Sequence, residues 1–313
     1  LPGSIDRFLG NNKPRMLITI DTELWPNMIE GCSRNGVPTL LVNGRLSSRS
    51  AKGYGRVMPL ILPMLQSLTL LAVQTRQHKD RFVSLGADMS KVRVTGSIKF
   101  DAVMTQGYAA RLDHSRRRLA GRPILLGAST HNGEEAALLS LLPALRERIP
   151  DILLVLAPRH THRCDQVRRA CESSGQSVMG FSDTREVAVD DQVLLVDVMG
   201  ELDALFELAK VAFVGGSLVP VGGHNLLEAV RAGTPVIMGS HLDNIEDIAQ
   251  QFIDSQAIMI VEDGQELQQV VINLMENPDE SNRLVKAANK VMDLNQGALD
   301  QVEALIVELM NHE

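Results

Sequence analysis

The sequence predicts an α/β protein made of two Rossmann-like domains with parallel sheets, and three observations predict it. Short β-rich runs alternate with amphipathic helical stretches along nearly the whole chain, which is the pattern of parallel α/β units. The runs fall into two series separated by a polar, basic segment at 113–122. Finally, 313 residues with 44% hydrophobic and 22% charged side chains provide for one large core or two ordinary ones.

The first series comprises strands at 16–20, 39–42, 69–73 and 92–95. Residues 57–75 carry no charge over a length that would cross a bilayer. Pro59, Pro63, Gln66 and Ser67 interrupt that stretch, so it reads as a buried helix followed by the strand at 69–73. With only four strands, residues 1–110 form an incomplete N-terminal domain. The second series, at 124–127, 152–157, 193–196, 212–214, 235–238 and 258–261, has the spacing of a complete Rossmann-like domain spanning 111–313. Its closing segment reads as helix beyond Asn277-Pro278, with Asp279 as an N-terminal cap and Gly297 as a break.

Composition excludes several function classes. A net charge of -7 and 3% aromatic residues argue against a nucleic-acid surface, which needs cations for phosphates and rings for bases. Cys32, Cys164 and Cys171 are odd in number and unpaired in spacing, so a reducing compartment fits and no structural zinc site is expected. The chain opens without a methionine or a secretory signal and reads as lacking its natural start.

The motifs should follow strands, because in open α/β sheets ligands bind beyond the carboxyl ends. The most specific runs from Gly215-Gly216-Ser217 through Gly222-Gly223-His224-Asn225-Leu226-Leu227-Glu228. Paired glycines let backbone amides approach an anion, and a helix starting near Asn225 would add its N-terminal partial charge. Glu228, one turn on, could accept from ribose hydroxyls. The alternative is that the glycines only make tight turns. Pro158-Arg159-His160 puts an arginine fork after the strand at 152–157, suited to phosphate unless it is simply a surface side chain. Met199-Gly200-Glu201 follows the strand at 193–196 and offers backbone amides to a base or phosphate. His160 and His162 lie close in sequence, but no HExxH or carboxylate cluster supports a metal, and none is expected.

Together with Thr22-Glu23-Leu24-Trp25-Pro26-Asn27, the run Thr95-Gly96-Ser97-Ile98-Lys99-Phe100-Asp101, and Ser129-Thr130-His131, these segments resemble the 3-deoxy-D-manno-octulosonic acid (Kdo) transferases. Each motif alone is weak; six in the family's order and approximate spacing are strong. The resemblance implies a GT-B fold, two Rossmann-like domains facing a cleft, with 1–110 on the acceptor side and 111–313 binding the donor CMP-Kdo. It implies no cofactor and no metal. Carried over by position, Pro158, Arg159, Met199, Gly200, Glu201, Asn225, Leu226, Leu227 and Glu228 match the CMP-binding segments. Lys99 matches a transition-state-stabilising cation, where a positive charge would offset the leaving phosphate.

Two positions depart from the family pattern. Asp21 stands for a glutamate before Thr-Glu-Leu-Trp, keeping the carboxylate with a shorter reach. Leu226 stands for a proline at the donor-binding helix start. The family's general base, a glutamate in a Gly-Glu motif, lies upstream of anything in this sequence, so little activity is expected of this chain by itself.

The implied acceptor is a lipid A precursor at the cytoplasmic face of a Gram-negative inner membrane. Arg45, Arg49, Lys52 and Arg56 could meet its phosphates or anionic headgroups, or form a solvated helical face. Two rivals stay open: a GT-B-like sugar-nucleotide epimerase, which would prefer UDP, and a CMP-binding remnant that transfers nothing. Oligomeric state and the number of Kdo residues added are left open.

Overall fold

A computed structural model describes residues 2–101, 106–119 and 121–311. The expected division lay near residue 110, with 111–313 as one domain. The structure instead forms two compact units, Leu1–Ala102 with Asn295–Glu313, and Val103–Leu294.

The first unit contains α1 (Pro2–Asn12), β1 (Leu17–Ile20), α2 (Pro26–Arg34), β2 (Thr39–Gly44), α3 (Ser48–Gly55), α4 (Met58–Ser67), β3 (Leu70–Val73), α5 (Arg76–Ser84) and β4 (Val92–Val94). Its strands form a parallel sheet in the order β1-β2-β3-β4. Parallel strands covered on both faces must be apolar on both, and every residue of β2 and β3 is buried. On one face, Leu41, Leu71 and Val73 pack with Ile61, Met64 and Leu65 of α4 and Phe82 of α5. The uncharged stretch 57–75 is therefore α4 and β3, as expected. Among the described residues no helix is long and apolar enough to cross a membrane.

The second unit runs α6 (Tyr108–Arg118), β5 (Ile124–Thr130), α7 (Glu134–Arg148), β6 (Leu153–Pro158), α8 (Cys164–Ser173), β7 (Val178–Gly180), β8 (Val193–Leu195), α9 (Leu202–Leu208), β9 (Val211–Val214), α10 (Leu227–Arg231), β10 (Val236–Gly239), α11 (Glu246–Asp254), β11 (Met259–Val261), α12 (Gly264–Glu276) and α13 (Pro278–Asn295). Its seven-stranded parallel sheet has the order β11-β10-β9-β5-β6-β8-β7. All six expected strands are present, and β7 is an addition at the edge beside β8. The cap of α13 is Asn277, whose Oδ1 accepts from the Glu280 amide at 3.3 Å, not Asp279, which lies in the first turn.

The last helix, α14 (Ala298–Asn311), explains the unexpected division. Val302, Leu305, Ile306 and Leu309 recur at helical spacing and pack on Leu40, Val42, Leu70 and Ala72, the second face of the first sheet. Asp101 fixes the start of α14, its two carboxylate oxygens accepting from the amides of Gly297 (2.8 Å) and Leu299 (2.7 Å). The break at Gly297, with φ of 89°, lets the chain turn into α14.

Candidate functional site

In the second unit the chain leaves β5 in one direction to β6 and later returns to β5's other side with β9. The crevice beyond the carboxyl ends of β5 and β9 is thus the topological switch point, where open α/β sheets bind ligands. Four neighbouring strands, β9, β5, β6 and β8, carry the motifs on the loops that follow them. At a strand spacing of about 4.8 Å, this row spans roughly 14 Å, room for a nucleotide.

The loop after β9 departs from its sequence expectation. The amides of Gly216, Ser217 and Leu218 do donate to a carboxylate, but it is the protein's own: Glu134 Oε2 at 2.8 Å from Gly216 and Oε1 at 3.0 and 2.9 Å from the other two. The His131 amide donates to the same carboxylate at 2.8 Å. Glu134 has no exposed surface. A Cβ on Gly215 would lie 2.6 Å from the Ser129 carbonyl oxygen, so only glycine lets the β5 and β9 loops approach this closely. The second pair also serves the fold: the Gly223 amide donates to the Gly216 carbonyl, and a Cβ on Gly222 would strike Asn244 at 2.6 Å. The tight-turn alternative therefore holds for these glycine amides. The following helix starts at Leu227 rather than near Asn225, and is only five residues long. Asn225 Oδ1 accepts from the Leu227 amide at 3.2 Å, which leaves Asn225 and Glu228 exposed at its start.

Held by that turn, His224 meets His131 from the β5 loop, Nε2 to Nε2 at 2.8 Å with the rings stacked 5.0 Å apart. His160, after β6, packs edge-on to His131 at 5.9 Å and stacks on His162 at 5.4 Å. Sequence spacing connected only His160 and His162, because the other two come from different loops. Burial, then the charges of His131, Arg159 and His160, push the His224 pKa down to about 4. His160 is lowered too, by desolvation first and then by His162, Arg159, His131 and Arg163. Arg159 is exposed beside this group, at the end of β6, as the sequence placed it. The adjacent Arg163 is committed elsewhere, paired with the buried Glu135 at 2.8 Å. Among the described residues no three His, Cys, Asp or Glu side chains are arranged to hold a metal ion.

Beyond β8, Met199 is 75% exposed and Gly200 takes a φ of 89° in the turn leading to α9. Glu201 closes that turn. Burial raises its carboxyl pKa against the opposing effect of Arg111, and among the described residues its buried Oε2 has no hydrogen-bond partner. A buried acceptor left unpaired costs about 1–3 kcal/mol, which a ligand N–H or O–H would recover.

Asp21 and Lys99 lie in the first unit. Asp21 ends β1 with a φ of 59°, and Asn43, itself at 56° and buried, donates from Nδ2 to Asp21 Oδ1 at 2.5 Å. Aspartate and asparagine are the side chains that tolerate this backbone region best, so Asp21 suits its position where a longer glutamate would be less favoured. Asn43 Oδ1 also accepts from the Ile98 amide at 3.2 Å. One buried side chain therefore joins Asp21 to the short 3-10 turn Ile98–Asp101 that carries Lys99. Of the basic cluster, Arg49 and Lys52 lie on α3 and Arg56 caps its end, at spacings that share one helical face, while Arg45 precedes the helix and is half-buried.

Comparison with known proteins agrees with this architecture. The family model of 3-deoxy-D-manno-octulosonic-acid transferase (kdotransferase) matches residues 1–102, and that of glycosyl transferases group 1 matches 137–291. The 3-deoxy-D-manno-octulosonic acid transferase of Haemophilus influenzae is 34% identical over 308 residues, covering 98% of this chain and 72% of its own. That of Bordetella pertussis is 33% identical, covering 95% and 70%. The solved C-terminal CMP-Kdo binding domain of WaaA from Acinetobacter baumannii aligns at TM-score 0.57 and 30% identity, over 60% of this chain and 99% of that domain. A UDP-GlcNAc 2-epimerase from Neisseria meningitidis aligns at TM-score 0.65 over 97% of this chain and 79% of its own, but at 15% identity it shares the fold alone. With the motifs in register on two parallel-sheet units of GT-B type, the chain belongs to the 3-deoxy-D-manno-octulosonic acid transferase family of glycosyltransferases.

Proposed function

We propose that the chain binds CMP-Kdo and, where the family's general base is supplied, transfers Kdo, with inversion, to a hydroxyl of a lipid A precursor at the cytoplasmic face of a Gram-negative inner membrane. The observation that carries the donor assignment is positional. Arg159, Met199–Glu201 and Asn225–Glu228 follow β6, β8 and β9 at the carboxyl edge of one sheet, in the unit similar to a CMP-Kdo binding domain. Arg159 pairs with the donor phosphate, while Glu201 and Glu228 accept from hydroxyl or amino groups of the nucleoside.

In the transfer, the acceptor oxygen bonds to the anomeric carbon and gives its proton to a general base. The bond from that carbon to the phosphate oxygen breaks, and CMP leaves with the electron pair. Lys99 offsets the charge gathering on the leaving phosphate, and Asp21 faces the positive charge that develops at the sugar. The exposed cations of α3 receive the acceptor's phosphates or the membrane's anionic headgroups.

Calorimetric titration with CMP, and UDP as control, tests the donor site. Selective CMP binding is expected. Arg159→Ala or Glu228→Ala should weaken it about 10-fold to 100-fold, the worth of a charge-assisted hydrogen bond. UDP preference would favour an epimerase-like site, and unchanged CMP affinity in both variants would overturn the residue assignments. In a protein that also carries the family's general base, Lys99→Ala should leave CMP affinity intact and lower turnover.

A further inference from the structure

The contact between His131 and His224 has a chemical consequence that neither residue's sequence position suggests. At 2.8 Å, one Nε2 must carry a hydrogen and the other must not, so the pair holds its geometry with at most one proton beyond neutrality. His160 lies edge-on to His131, and Arg159 and His162 face the same group from the β6 loop. Two carboxylates stand near. The amides of His131, Gly216, Ser217 and Leu218 surround Glu134, and Arg163 together with the Thr130 hydroxyl holds Glu135. Neither therefore neutralises the imidazoles. The result is a concentration of cationic and proton-accepting groups, with no anion committed to them among the described residues, at the switch point of the sheet.

We propose that His131, His160 and His224, together with Arg159, form a subsite for the phosphate ester of the nucleotide donor. This rests on the donor-site reading above and assigns to it three side chains that reading does not use. A phosphate oxygen placed among the imidazoles accepts from ring N–H groups and favours their protonated form, opposing the desolvation and mutual repulsion that keep His160 and His224 neutral. The histidines gain charge as the ligand arrives, so affinity should rise as pH falls from about 8 towards 6, as long as the phosphate stays ionised.

The test follows the carbon-bound imidazole protons of the chain's 8 histidines by NMR between pH 5 and 8, with CMP, with cytidine and with neither. His131→Gln, His160→Gln and His224→Gln assign the resonances. With CMP bound, at least one of the three should titrate about one pH unit higher, and cytidine should move none. His160→Gln, an exposed substitution, should weaken CMP at pH 6 several-fold and leave cytidine binding unchanged. If CMP binds and all histidines titrate as in the free protein, the histidine subsite is wrong while the donor site stands. If folded protein binds no CMP, both fall. Should a glutamine variant fail to fold, the wild-type titration still decides.

Discussion

Four peptide N–H groups neutralise the carboxylate of Glu134, with donors from two loops more than 80 residues apart in sequence. Glu134→Gln keeps the shape but turns an NH2 towards those donors. It should lower unfolding free energy by about 2–4 kcal/mol in urea titration, as expected when a buried charge-assisted network is broken. A loss below 1 kcal/mol would show that the loops are held otherwise. His224 adds a pH term. Its folded pKa of about 4 lies below the ordinary 6.5, so the unfolded chain binds more protons between those values. Its contribution is complete above pH 6.5 and is lost as pH falls towards 4, on the order of 3 kcal/mol, which acid denaturation of His224→Gln beside wild type would measure. The placement of Arg159, Glu201 and Glu228 beyond strands could be read from sequence, because each follows a strand within a short motif. Glu134 could not: Gly133-Glu134-Glu135 looks like an ordinary helix start, and the partners that give the carboxylate its role are assembled only by the sheet.

At the scale of elements, periodicity located every strand long enough to have a period. It missed β7, whose three residues are held by pairing with β8 rather than by any pattern of their own. Side-chain caps mark only some helix starts, and the one cap read from sequence, at Asp279, lies elsewhere. Asn277 sits before Pro278 at the first helical position, the arrangement in which proline's missing N–H costs nothing, and Asp279 falls two residues too late to cap. The stronger cap is Asp263 on α12, accepting from Gln265 at 2.8 Å and Glu266 at 2.9 Å. Asp263→Ala should cost about 1 kcal/mol, and Asn277→Ala less, given its longer contact. Equal or reversed losses in thermal unfolding would contradict that ranking. The glycine-rich loop after β9 shows the limit of motif reading: the chemistry of an amide nest was legible, but a carboxylate supplied by the chain itself occupies it.

For the whole molecule, the division at α14 was not legible because an amphipathic helix advertises an apolar stripe without saying which sheet receives it. Deleting residues 296–313 should expose Leu40, Val42, Leu70 and Ala72 and destabilise the first unit, while CMP binding by the second unit survives. Loss of both together would mean that the second unit depends on the helix as well. The discontinuity also reverses the usual order of biosynthetic folding. Residues 103–294 are contiguous and can collapse as they leave the ribosome, whereas the sheet of the first unit, though made before them, lacks the cover for one face until 295–313 emerge. At ~5–20 residues per second the wait lasts roughly 10–40 s, during which a bare parallel sheet is open to misassociation. The newborn chain's need for a holding chaperone should therefore concentrate on the sheet of residues 17–94.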